Sequence, residues 1–178
     1  VVQPVAEIGD VCRKAGVTFL VDASQTAGVI DINLVRDQID LCAFTGHKAL
    51  LGPTGTGGLI LSEHFDYSRI RPLRYGGTGS VSDKTEQPDF LPDMFESGTL
   101  NIAGIAGLCE GLDYLEQSGG VKSAYAHKKK LVAVFYENAL AKVRNIKFYV
   151  EPQMCETGTI SFNILNLEPS YVAQRLSD

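Results

Sequence analysis

The 178-residue chain is short of positive charge: 16 Lys plus Arg against 21 Asp plus Glu leave a formal net charge of −5 and a pI near 5.2. No basic field exists to hold phosphodiester backbones, so a nucleic-acid partner is not expected. No apolar run approaches the roughly eighteen residues of a bilayer span, and the amino terminus lacks the charged-then-apolar pattern of a secretory signal. A membrane partner is not expected either, and the cytoplasm is the expected compartment. Cysteines are few and scattered. Cys12, Cys42, Cys109 and Cys155 form no C-x-x-C pair and have no histidine at metal-ligand spacing, which argues against a zinc site and against a disulfide framework. Each reads as a small buried residue in a reducing compartment, with no catalytic role. Nucleotide motifs are missing too. The run Gly52-Pro53-Thr54-Gly55-Thr56-Gly57-Gly58 follows Lys48 instead of preceding a lysine, and no G-x-G-x-x-G occurs. These glycines read as a place where the backbone turns tightly beneath a ligand.

What is present is ordinary globular material, with 44% hydrophobic and 21% charged residues and no internal repeat or low-complexity segment. The chain opens without an initiator methionine on Pro4, taken as a first-turn residue. A helical pattern follows in Val5, Ile8, Val11, Cys12 and Ala15, closed by Gly16. At the other end Pro169 starts a helix whose apolar positions Val172, Ala173 and Leu176 complete barely two turns. Both ends therefore read as cut, and the expectation is an internal piece of a longer protein. Three short apolar runs, Val17–Val21, Ile39–Phe44 and Gly58–Leu61, read as strands of a parallel or mixed α/β sheet, with a short helical or irregular crossover around Leu34-Val35.

From Arg69 to Asn101, with Pro72, Pro88, Pro92 and glycines at 76, 77, 79 and 98, the chain reads as a long functional loop. Its aromatics Tyr75, Phe90 and Phe95 suggest that it is ordered by packing. Two helical patterns follow, marked by Ile102, Ile105, Ala106, Leu108, Cys109, Leu112 and Leu115, then by Tyr125, Leu131, Val132, Phe135, Leu140 and Val143. The run Lys128-Lys129-Lys130 in the second reads as a solvated face. Strands over 146–150 and 159–165 and the last helix begin a smaller α/β layer, so the expected division is 1–100 for a large domain and 101–178 for a smaller one.

Chemistry is concentrated at two strand ends. If the first two strands are parallel neighbours, Asp22 and Lys48 emerge on one sheet edge, a carboxylate and an amine able to face one ligand. Pyridoxal phosphate fits such a pair, since it needs a carboxylate beside its pyridine nitrogen and a lysine to hold its aldehyde as an imine. At about 4 Å and an effective dielectric near 20 the ion pair is worth about 4 kcal/mol, roughly three pKa units, enough to keep the ring nitrogen protonated. Taken by themselves, an Asp and a Lys at these places read far more readily as a strand-end cap and a surface amine than as a cofactor pair.

The motifs Val21-Asp22-Ala23-Ser24-Gln25-Thr26-Ala27-Gly28, Phe44-Thr45-Gly46-His47-Lys48, Gly52-Pro53-Thr54-Gly55 and Phe95-Glu96-Ser97-Gly98-Thr99-Leu100-Asn101 occur in this order. The set resembles the class V aminotransferases, and within them the cysteine desulfurase and selenocysteine lyase group, over essentially the whole chain. The resemblance implies part of a pyridoxal-phosphate-dependent type I fold, a mostly parallel sheet with helices and a smaller α/β C-terminal domain. It implies that Lys48 forms the internal aldimine and shuttles protons, with His47 beside it. It further implies that Asp22 pairs with the pyridinium nitrogen, Gln25 bonds the phenolic oxygen, and Thr45 and His47 bind the phosphate. Thr99 would reach the phosphate held by the other subunit of a homodimer. The implied reaction converts L-cysteine to L-alanine, passing sulfur to an enzyme persulfide and on to a sulfur-acceptor protein. Another class V lyase or aminotransferase, or an inactive dimerisation or scaffold module, are the alternatives. Leu100 stands where the family usually has proline. The upstream phosphate-cradling loop and stacking aromatic, and the downstream sulfur-accepting cysteine and carboxylate-binding arginine, have no counterpart in the chain.

Overall fold

A computed structural model describes residues 1–77, 80–81 and 83–178; Gly79, one of the loop glycines above, lies outside them. The first helix, α1, spans Val5–Ala15, with Pro4 just ahead of it and not in its first turn. Gly16 ends it in the left-handed conformation (φ 65°), its N–H returning to the last-turn carbonyls of Arg13 and Cys12. Strand β1 (Leu20–Asp22) pairs in parallel with β2 (Leu41–Thr45), Asp22 opposite Ala43. The long irregular 23–40 connection makes that parallel crossover possible. The 46–56 connection is shorter than the roughly dozen residues a crossover needs, so β3 (Gly57–Leu61) returns antiparallel with Thr45 opposite Gly57. The fold is α/β as expected, and its described sheet is mixed, in the order β1-β2-β3.

Ala23, Ile39 and Cys42 form a buried cluster on this sheet, and Val5, Phe19, Val21, Ala27, Ile32 and Leu34 pack on it. Ile39 is 2% exposed, so its truncation to Ala would cost about 2–5 kcal/mol. Asp40 ties the starts of β1 and β2 to the end of β3: its carboxylate accepts the Phe19 N–H at 2.8 Å while its carbonyl accepts the Ser62 N–H.

Helix α2 (Ile102–Gln117) is capped by Asn101, whose side chain accepts the Gly104 N–H at 3.0 Å. Its buried face is Gly104, Leu108 and Gly111; Leu108 belongs to the apolar pattern, whereas Ile102 of the same pattern is 72% exposed. The reason is proximity. A methyl on Gly111 would lie 2.7 Å from the Leu50 carbonyl oxygen, one on Gly107 2.7 Å from the Pro53 ring and one on Gly52 2.7 Å from Leu108 Cδ1, so the helix meets the 50–53 main chain through two glycines and Leu108. With Leu108 turned inward, Cys109, one residue around the helix, is exposed, which corrects its expected burial; Cys12 is half-buried, while Cys42 and Cys155 are buried.

Helix α3 (Gly120–Lys142) buries Val132, Tyr136 and Ala139 against β4 (Ile146–Phe148) and β5 (Phe162–Ile164), an antiparallel pair. The Tyr136 ring stacks on Phe148 at 4.0 Å between centroids, and its hydroxyl donates to the Val150 carbonyl. The lysine run is more than a solvated face: Lys129 Nζ donates to the Gln153 carbonyl at 3.0 Å, tying α3 to the turn after β4. Helix α4 (Pro169–Ser177) follows, with Val172 buried. Among the described residues no helix is long and apolar enough to cross a membrane.

Candidate functional site

Two turns leave the carboxyl ends of β1 and β2, and the site is built from them. After Asp22, the Ala23 N–H bonds across to the Ala43 carbonyl at 2.8 Å, extending the parallel ladder by one bond. The chain then winds into a helical turn in which Thr26 and Ala27 both donate to Ala23 O. Asp22 closes the start of that turn by accepting the Ser24 N–H at 2.9 Å, the two-residue Asx arrangement. Beyond β2, Gly46 anchors both ends of the next turn. Its N–H donates to Thr56 O and its carbonyl accepts from Gly52 N, each at 2.8 Å, and inside the closed loop Lys48 O accepts from Leu51 N at 3.0 Å. The two turns touch at Gly28, where a methyl would lie 2.7 Å from the Ala49 carbonyl oxygen. The backbone carrying Asp22 and Gln25 is thereby seated against the backbone carrying Lys48.

Electrostatics tie the same residues together. The Ser24 hydroxyl first, and then its backbone N–H, hold the Asp22 carboxyl below its ordinary value against a desolvation that acts the other way. The Lys48 ammonium adds the smallest pull in the same direction. Burial, and then the Asp22 charge, push the Cys42 thiol up from its ordinary value. A thiol held protonated under the sheet edge is a packing residue, not a nucleophile.

Thr45 ends β2. Its Oγ1 is buried and, among the described residues, has no hydrogen-bond partner. A buried hydroxyl without a partner carries a desolvation cost that an anionic oxygen arriving beside it would offset. That observation fits a phosphate-bearing cofactor. His47 and Gln25 are exposed on the two turns, His47 beside Lys48 and Gln25 three residues past Asp22. Thr99 is exposed on a separate segment, just before the α2 cap, and the Asn101 amide of that cap is the atom nearest to Gly55 in the glycine run. The structure thus places Asp22, Ser24 and Gln25 at and past one strand end and Thr45, His47 and Lys48 at the end of the neighbouring parallel strand, and keeps Thr99 apart.

Two contributors were not anticipated. Ser24, through its bonds to Asp22, was readable in principle, because a serine two residues after an aspartate is an Asx-turn signal. Gln87 was not. It holds the 69–101 loop through three backbone hydrogen bonds, whereas the aromatics expected to order that loop are half-buried at Phe95 and exposed at Tyr75 and Phe90.

The family model for class-V aminotransferases matches residues 1–178. A probable cysteine desulfurase of Methanothermobacter thermautotrophicus is 37% identical over 180 aligned positions, covering 99% of this chain and 44% of the relative. Another from Pyrococcus abyssi is 32% identical, covering all of this chain and again 44% of the relative. Among solved structures, the apo cysteine desulfurase of Thermococcus onnurineus superposes with a TM-score of 0.80 at 30% identity, over the whole of this chain and 44% of that one. The cysteine desulfurase CsdA of Escherichia coli gives 0.81 at 26% identity, over 99% of this chain and 43% of that one. The chain therefore spans less than half the length of the relatives it matches. With the family model covering every residue and the two strand-end turns built as described, the chain belongs to the class-V aminotransferase family.

Proposed function

We propose that the full-length protein is a pyridoxal-phosphate-dependent cysteine desulfurase, converting L-cysteine to L-alanine and passing the sulfur to a thiol as a persulfide. The observation that carries this reading is the placement of Asp22 and Lys48 at and just past the carboxyl ends of two adjacent parallel strands, with the buried Thr45 Oγ1, unpartnered among the described residues, ending the second of them. The relatives named cysteine desulfurase direct the choice of substrate within the family. When bound, the cofactor supplies an electron sink for the substrate's carbanion.

The chain's own residues do the rest. Lys48 would hold the cofactor aldehyde through Nζ and would carry a proton to and from the substrate carbon. Asp22 would pair with the ring nitrogen and keep it protonated, and its bonds to Ser24 hold its carboxyl below the ordinary value. Gln25 donates to the phenolic oxygen, and Thr45 Oγ1 and His47 bind the phosphate. In a homodimer, Thr99 reaches the phosphate in the partner subunit. The thiol that takes the sulfur is not assigned among Cys12, Cys42, Cys109 or Cys155, and a sulfur-acceptor protein would receive it next.

The test is stoichiometry. Purified full-length protein loaded with pyridoxal phosphate is expected to release alanine and reducible sulfur from L-cysteine in equal amounts. Asp22→Ala is expected to keep cofactor yet lose turnover by two or more orders of magnitude, roughly, because the ring nitrogen loses its counter-charge. Transamination without sulfur release would assign a different reaction within the family. Equal turnover in wild type and Asp22→Ala would make Asp22 a turn residue only.

A further inference from the structure

Gln87 joins three parts of the 69–101 segment with one side chain. Its Oε1 accepts the Gly76 N–H at 3.3 Å, while Nε2 donates to the Asp93 carbonyl at 2.7 Å and the Glu96 carbonyl at 3.0 Å. A carboxamide offers two donors and an acceptor oxygen in one plane, so it alone among side chains of this size can satisfy main-chain groups of both polarities at once; Glu has no donor and Leu has neither. Next to these bonds the Gly98 N–H donates to the Gly77 carbonyl at 2.8 Å. The 96–98 stretch is thereby fastened to the 76–77 stretch from both sides of Ser97. Thr99 comes next, and two residues later Asn101 caps α2 through Gly104. Thr99 is held between two fixed points, although it sits in a segment with almost no regular secondary structure.

We propose that Gln87 is a positioning residue for phosphate recognition: by fixing 96–98 it presents the Thr99 hydroxyl, already ordered, to the cofactor phosphate in the partner subunit. The inference rests on the role given to Thr99 above. The physical gain is preorganisation. Ordering a loop during binding subtracts from affinity, and a loop ordered beforehand has no such cost left to meet. Because these three Gln87 hydrogen bonds all go to main chain, it acts through Thr99 and not on the ligand.

The experiment uses the full-length dimer stripped of cofactor, titrated with pyridoxal phosphate and separately with pyridoxal, which has no phosphate. Gln87→Leu is expected to weaken pyridoxal phosphate about tenfold, the loss typical of one or two hydrogen bonds. Pyridoxal affinity should not change. Gln87→Glu, which folds without adding an apolar surface, should behave likewise, since it keeps the acceptor and loses both donors. The double variant Gln87→Leu/Thr99→Val should bind no more weakly than Thr99→Val, and amide exchange at 96–99 in the cofactor-free protein should be faster in both Gln87 variants. Equal losses for pyridoxal and pyridoxal phosphate would overturn the proposal, as would Gln87 variants with wild-type affinity and exchange beside a weakened Thr99→Val. A Thr99→Val protein with wild-type affinity for pyridoxal phosphate would instead remove the role of Thr99, and the proposal with it.

Discussion

Replacing Gly28 by alanine perturbs the contact that seats the two strand-end turns on each other. Gly28 has φ 84°, a left-handed conformation in which an L side chain costs about 1–2 kcal/mol. Its new methyl would lie 2.7 Å from the Ala49 carbonyl oxygen and 2.8 Å from the carbonyl carbon, where ordinary contact begins at 3.4 Å. The obstacle is main chain, which cannot rotate away, so the turns must part by several tenths of an ångström beside Lys48. Overpacking of this kind costs about 1–3 kcal/mol. The two effects sum to about 2–5 kcal/mol. Gly16→Ala is the control, because Gly16 has φ 65° with nothing within 4 Å of its would-be methyl, leaving only the backbone cost of about 1–2 kcal/mol. Urea denaturation of the full-length protein reads both. Gly28→Ala should lose more stability than Gly16→Ala by about 1–3 kcal/mol, and its turnover should fall tenfold or more, roughly, as the amine shifts from its reacting position. Equal losses in the two variants, or full turnover in Gly28→Ala, would refute the seating argument.

Thr45→Val should act in opposite directions on stability and binding. In the cofactor-free protein it removes a buried hydroxyl with no partner, so stability should hold or rise by up to about 1 kcal/mol, while pyridoxal phosphate affinity falls about tenfold. A stability loss above about 2 kcal/mol would mean the hydroxyl already has a partner. Tyr136 governs an alkaline limit: burial first, and then Cys155, push its phenol up to about 12. With a folded value above the unfolded value of about 10, its contribution is complete below pH 10 or so and is lost as pH rises through about 12. Tyr136→Phe strands the Val150 carbonyl and should cost about 1–3 kcal/mol at neutral pH. Its stability should also decline less steeply than wild type over that alkaline range. Identical alkaline profiles would contradict the assignment.

The placement of Asp22, Thr45 and Lys48 was legible because a parallel strand pair collects polar side chains at its carboxyl edge, and each stands at or just past such an edge. Helix limits were legible from Gly16 and Pro169, since helix ends are local chemistry. Packing faces were legible only in part. On α2 the apolar pattern includes the buried Leu108 but also Ile102, Ile105 and Leu112, all exposed, because the neighbouring positions that approach the 50–53 main chain are glycines, which carry no hydrophobic signal. On α3 the buried register is Val132, Tyr136 and Ala139, four and three residues apart, one step away from the Phe135 that the pattern favoured. Gln87 leaves no signal either. Its partners lie 11, 6 and 9 residues away in a segment without periodicity, and only the folded loop brings them together.

The central claim is that Lys48 is the amine that holds the cofactor, and labelling tests it most directly. Full-length protein loaded with pyridoxal phosphate is reduced with borohydride, digested, and mapped by mass spectrometry. The account predicts one stoichiometric phosphopyridoxyl group on the peptide containing His47-Lys48, absent in Lys48→Ala. A label on another lysine, or a Lys48→Ala protein that is labelled to the same extent as wild type, would contradict it.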